Sequence, residues 1–285
     1  MSEKEFDSSH IAYEENPNKE LPNQGKWNMA IGLQKIDKLE PSECLKQLSQ
    51  NNIEGVISVE QVKEGLRAYY IEKEKEHQIN PNEYECDFVS TRIVEILNID
   101  QFELSIDYLK KIHQYIFQDT YQFTGQFRTV NFSKPEKILN KNSVAYGDYK
   151  TLDQSLNYDI SIEKRKDYKR MAIVEVINSL VKFTTNIWQV HPFREGNTRT
   201  IAVFIQKYLR SLGYEVENNT FKEHSVYFRN ALVRSNYFNN ALNIKEDSTY
   251  LVKFFENLLL GKTNNLQSYD LIIDELFEER KTFAK

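Results

Sequence analysis

The chain has 285 residues, of which only 9 are Gly and 6 are Pro, against 17 Tyr, 17 Phe and 2 Trp. Glycine and proline stand at less than half of the roughly 12% of average usage, which excludes collagen-like and low-complexity classes and predicts long helices with few tight turns. A net charge of −5, with basic residues mixed among acidic ones, weighs against a nucleic-acid partner, and no apolar run approaches the ~18 residues that a membrane span needs.

The length suits one large domain or two small ones. The opening MSEKEF is not a secretory signal, and Cys44 and Cys86 form no paired spacing, so a cytoplasmic, reducing location is expected. Residues 1–24 are polar, contain Pro17 and Pro22, show no apolar period and read as a flexible leader. A helical region follows over 25–100. Pro41 opens one helix, with Cys44, Leu45 and Leu48 at helical spacing, and Gly55 stops it. Ser58 stands three residues before Gln61 as a capping box for the next, which carries Val62, Leu66, Tyr69 and Tyr70 and ends in the charged run Glu72–Glu76, a solvated face. Two further helices are predicted over 88–97 and 106–117.

Residues 123–150 differ in character. Gly125, Pro135 and Gly147 punctuate a stretch in which Asn140-Lys141-Asn142 separates the short apolar pieces Ile138-Leu139 and Val144-Ala145. A small β-hairpin is expected there. The strongest apolar periods come next. Ile173, Val174, Ile177, Leu180, Val181, Thr184, Ile187 and Trp188 form one stripe, and Ile201, Phe204, Ile205, Tyr208, Leu209 and Leu212 form a second that ends at Gly213. Both predict central helices. Residues 262–285 read as one amphipathic C-terminal helix.

The loop between the central helices, His191-Pro192-Phe193-Arg194-Glu195-Gly196-Asn197-Thr198-Arg199, concentrates chemistry. A histidine at a helix end, followed by proline, is held at a junction and suited to proton transfer near neutral pH, although a lone histidine there is more often a cap. Glu195 suits a hard oxygen ligand for Mg²⁺ and equally an ordinary surface acid. The first turn of the following helix is an anion site, where Gly196 admits a phosphate to the backbone while Asn197, Thr198 and Arg199 offer donors. A base, a metal ligand and a phosphate cradle within nine residues suit phosphoryl or nucleotidyl transfer, in which positioning and charge neutralisation supply most of the catalysis.

HPFREGNTR at 191–199 closely resembles the Fic motif, HPFx(D/E)GN(G/K)R, and a weaker likeness runs from about Trp27 to Gly261. The resemblance implies an all-α Fic-type core over 101–261 with a small β-hairpin flap, and transfer of AMP from Mg-ATP to a Tyr, Ser or Thr hydroxyl of a target protein, the enzyme itself included. It implies His191 as general base, Phe193 as the loop anchor, Glu195 as the Mg²⁺ ligand, and Arg194, Glu195, Gly196, Asn197, Thr198 and Arg199 around the phosphates. Lys137, Ile138 and Leu139 would be the flap strand that aligns the target, and Phe228 and Asn236 match adenine contacts by spacing. Two positions depart from the family: Thr198 replaces its glycine, and Ala202 replaces its second arginine. The first points also to another donor, with UMP, GMP or phosphate transfer, and the second to a degenerate nucleotide-binding module, while removal of AMP assisted by Glu54 is a further alternative. Gln50-Asn51-Asn52-Ile53-Glu54-Gly55 resembles the inhibitory (S/T)xxxE(G/N) helix of relatives, which would make Glu54 an inhibitor in cis with Arg199 as its partner. Exposed aromatic side chains would suit a homodimer.

Overall fold

A computed structural model of the chain describes residue 21 and residues 23–216 and 219–277. The leader expected over 1–24 lies almost wholly outside the described residues. The all-α class is borne out. Ten α-helices form among the described residues, joined by short 3-10 turns, with one isolated β-bridge between Asn239 and Ile244. None of these helices is long and apolar enough to cross a membrane.

Local sequence sets most helix boundaries. After α1 (Gln24–Gln34), α2 (Glu43–Ile53) begins where the Ser42 hydroxyl accepts the Leu45 N–H, and it ends ahead of Gly55 at φ +76°. α3 (Val59–Lys75) carries the expected capping box of Ser58 and Gln61. α4 (Pro81–Leu97) starts two turns before the predicted 88, with Asn80 as cap and Pro81 in the first turn, where a missing N–H is harmless. α5 (Ile106–Phe117) starts on Ser105 and has the predicted bounds. α6 (Leu152–Glu163), α7 (Ile173–Val190), α8 (Asn197–Ser211), α9 (Asn219–Asn236) and α10 (Thr249–Leu260) complete the set.

α8 lies at the centre. Every residue from Asn197 to Leu209 is buried, and α4, α5 and α7 pack around the helix. α1 runs between α4 and α9. Its close approach to α9 depends on Gly32, where a Cβ would lie 2.5 Å from the Lys222 Cα and 2.7 Å from the Phe221 carbonyl oxygen. The Ser225 hydroxyl donates to the Gly32 carbonyl at 2.6 Å across the same contact.

Two expectations are corrected. The hairpin within 123–150 is not formed: Lys137–Leu139 is a 3-10 turn, bracketed by Glu136 N–H donating to Asn142 O (2.9 Å) and Lys141 N–H donating to Glu136 O (2.8 Å). Successive side chains of a strand point to opposite faces, so a strand would bury only one of Ile138 and Leu139. The turn buries both. Nor do residues 262–277 make one helix. Over 262–274 they run as an irregular segment with a 3-10 turn at Ser268–Leu271, helical backbone returns only at 275–277, and the segment buries Leu266, Leu271, Ile273 and Leu276, whose carbonyl accepts from Asn140 at 2.6 Å.

Candidate active site

His191 ends α7 in the left-handed region, φ +49° and ψ +59°, an uncommon conformation for a non-glycine residue. Its ring is buried among Tyr146 (centroids 4.1 Å apart), Trp188 (5.2 Å) and Phe132 (5.6 Å). Nδ1 lies 3.3 Å from the Trp188 carbonyl oxygen, which can only accept, so the proton is assigned to Nδ1 and the Nε2 lone pair is left for a reacting group. Burial, then the charges of Lys134, Arg128 and Arg229, lower its pKa to about 3, and the imidazole is neutral at physiological pH.

Two residues hold this loop in shape. Arg128 donates from Nε to the His191 carbonyl (2.8 Å), and its backbone N–H donates to Pro192 O (2.8 Å). Its terminal nitrogens reach the carbonyls of Val130, Gly147 and Val190 and the Asn131 side chain. On α5, His113 stacks on Phe193 with centroids 3.8 Å apart and planes 13° from parallel. Its Nδ1 accepts from Gly125 N–H at 2.9 Å, so Nε2 carries the proton toward the Glu195 carbonyl at 3.2 Å. Burial lowers the His113 pKa to about 4, which keeps this tautomer neutral.

The start of α8 is a backbone anion site whose side chains are committed elsewhere. Gly196 is the N-cap at φ +74°, and a Cβ there would overlap the Phe117 ring. The N–H groups of Asn197, Thr198 and Arg199 have no earlier helical carbonyl to meet, and they carry the positive end of the helix dipole. Asn197 closes back on Phe193, accepting its N–H (2.9 Å) and donating to its carbonyl (2.8 Å). Thr198 accepts from Trp188 Nε1 at 2.9 Å. Arg199 is fully engaged: it meets Asp37 Oδ2 at 2.9 Å, Glu85 Oε1 at 2.8 Å, the Gln34 side-chain oxygen at 2.8 Å and the Tyr121 hydroxyl at 3.1 Å, with its guanidinium over the Phe117 ring.

These elements enclose a cavity lined by His191, Glu195, Gly196, Asn197, Thr198 and Trp188, together with Lys134, Arg229, Ile36 and Asp37. It holds about 20 Å³ of free space, room for about one water. Glu195 is exposed, and Lys134 Nζ lies 3.7 Å from its carboxylate. Among the described residues no three His, Cys, Asp or Glu side chains converge as a metal cluster.

Other expected residues lie elsewhere. Arg194 is exposed over the Phe123 ring, outside the cavity. Phe228 is fully buried between Phe221 and Phe254. Asn236 donates to the Leu232 and Thr185 carbonyls from a buried site. Neither lines the cavity. Glu54 caps α2 with an exposed carboxylate that accepts from Gln50 at 2.6 Å, and the Arg199–Glu54 pair is not formed, because Asp37 and Glu85 hold that guanidinium. The residues that sequence reasoning missed are Asp37, Lys134, Arg128, Arg229, Glu85 and His113. Only His113 left a signal, a histidine on the buried stripe Leu109, Ile112, Ile116, Phe117, where a polar ring requires a partner.

Residues 103–209 match the Fic/DOC family. Among curated proteins the chain is similar to the probable protein adenylyltransferase y4lH of Sinorhizobium fredii, 29% identical over 137 residues, covering 47% of this chain and 66% of that protein. It is also similar to a protein adenylyltransferase of Bartonella henselae (32% over 126 residues, 38% of this chain and 22% of that protein) and to protein adenylyltransferase VbhT of Bartonella schoenbuchensis (26% over 115 residues, 40% and 23%). The chain thus spans less than two thirds of the length of each. The N-terminal Fic domain of the Bep8 effector protein from Bartonella sp. 1-1C has the same fold, with TM-score 0.50 and 16% identity over 64% of this chain and 88% of that one. The segment that matches the Fic/DOC family, residues 103–209, contains the whole 191–199 loop with its supports His113 and Arg128.

Proposed function

We propose that the protein is an adenylyltransferase that moves AMP from Mg-ATP to a hydroxyl side chain of a target protein or of itself. One observation carries the reading: a neutral histidine, with Nε2 as its available lone pair, stands beside a helix N-terminus and an exposed carboxylate in a single cavity. The His191 imidazole takes the proton of the attacking hydroxyl as its oxygen bonds to the α-phosphorus, and pyrophosphate leaves. The α8 N–H groups receive the charge that gathers on the phosphate oxygens. Glu195, an exposed hard carboxylate in this cavity, would hold the Mg²⁺. The ion would neutralise phosphate charge. In this reading 101–261 is the catalytic unit and 25–100 its regulatory region.

The enzyme is restrained in cis, and the acid responsible is Asp37 rather than Glu54. Ile36 and Asp37 are the cavity lining supplied by the segment that follows α1, the remaining free space is far too small for a triphosphate, and Asp37 holds Arg199. A hundredfold restraint corresponds to ~2.7 kcal/mol, within reach of a partly buried ion pair.

The test uses ATP labelled at the α- or the γ-phosphate. Label retained on protein from the α position alone is the expected result, rising about tenfold or more in Asp37→Ala and absent in His191→Ala. Retention of the γ label would indicate phosphate transfer instead, and preference for UTP or GTP would reassign the donor to suit Thr198 and Ala202.

A further inference from the structure

A triphosphate needs cations, and the arginine of the motif is not free to supply one. Arg199 is enclosed by Asp37, Glu85, Gln34 and Tyr121 and does not line the cavity, and Ala202 is buried with no charge to offer. Two other cationic side chains line the cavity beside His191, Gly196 and Asn197: Lys134, from the loop before the Lys137–Leu139 turn, and Arg229, from α9. We propose that Arg229 and Lys134 grip the phosphate chain of the nucleotide, in place of the family's second arginine. The inference rests on the reading that this cavity takes a nucleoside triphosphate.

The geometry suits that task. Arg229 forms a two-point pair with Glu136, Nη1 to Oε2 at 2.7 Å and Nη2 to Oε1 at 2.8 Å. Glu136 is buried, and the Tyr146 hydroxyl, whose ring packs on His191, lies 3.5 Å from the same carboxylate. The pair fixes the plane of the guanidinium, and a guanidinium has five N–H donors, of which this pair engages one on each terminal nitrogen. The rest remain for phosphate oxygens. Lys134 is its counterpart, a half-exposed point charge that lies 3.7 Å from Glu195. The charges of both already reach His191, for they help to hold its imidazole neutral.

The test is equilibrium binding of ATP and of AMP, each with Mg²⁺, by calorimetry on the full chain, with the Asp37→Ala form, in which the site is open, as the parent. Glu136→Gln/Arg229→Gln replaces the ion pair by two amides and leaves no buried charge unpaired, and Lys134→Gln changes a side chain near the surface. Each is expected to weaken ATP at least tenfold while changing AMP less than twofold. Glu136→Gln alone, which frees the guanidinium, is expected to hold or tighten ATP. A parental ratio of ATP to AMP affinity in both the double variant and Lys134→Gln would overturn the proposal and leave the adenylyltransferase reading standing. No nucleotide binding by the parent would overturn both.

Discussion

At the scale of single residues, the site is a set of carbonyls and rings that allow His191 one orientation and one tautomer. Arg128 is the main tie, since its guanidinium gathers five acceptors from three stretches of the chain. A lysine could serve only part of that set. Arg128→Lys is expected to lower the labelling rate by about tenfold to a hundredfold and to cost about 1–3 kcal/mol of stability, read from initial rates and urea midpoints. Gly196→Ala is expected to be worse, because it combines φ +74° with overlap of the Phe117 ring; labelling should vanish and the urea midpoint should fall. The motif's residue types were legible in the sequence because their spacing is local. The directions of Thr198 and Arg199 were not. Trp188 is ten positions from Thr198, and Gln34, Asp37 and Glu85 lie more than a hundred from Arg199, so no local pattern connects them.

At the scale of elements, α1 and the turn after it act as one piece seated on α9, and Gly32 sets how closely it sits. Gly32→Ala inserts a methyl group against the α9 backbone, which cannot yield as a side chain would. The expected outcome is a rise in self-labelling of several-fold, together with faster amide hydrogen exchange across α1; unchanged exchange with unchanged labelling would contradict the assignment of restraint to this helix. The helices were legible because caps and 3.6-residue periods are local signals, as at Ser58–Gln61 and along α5 and α7. The flap was misread for a physical reason: Ile138 and Leu139 are adjacent, and a surface hairpin would turn one of them outward, whereas the 3-10 turn buries both. The C-terminal segment was misread likewise, since its apolar residues pack singly, with the Leu276 carbonyl tied to Asn140 and the Ile273 N–H to Ile138.

At the scale of the molecule, two buried neutral imidazoles link folding to pH. His191 and His113 have pKa values of about 3 and about 4 in the fold, both below the ordinary value of 6.5. Below 6.5 the unfolded chain binds protons that the folded chain refuses, so stability is full above that pH and falls as pH drops toward 4. The loss at pH 5 is on the order of 1–2 kcal/mol for each ring. Urea midpoints at pH 7.5 and 5.0 measure it, and His113→Gln is expected to show a smaller drop between the two than the parent. Labelling itself should lose none of its base over the same range, because His191 remains neutral.

The proposed function makes His191 the base for AMP transfer in a site that Asp37 holds shut. Intact mass spectrometry of the full chain incubated with Mg²⁺ and ATP tests it most directly, with Asp37→Ala, His191→Ala and the double variant side by side. Mass gain of whole adenylyl groups in Asp37→Ala, well above the parent, and none in either variant that lacks His191, is the predicted result. Equal gain in parent and Asp37→Ala, or gain that survives loss of His191, would contradict the account.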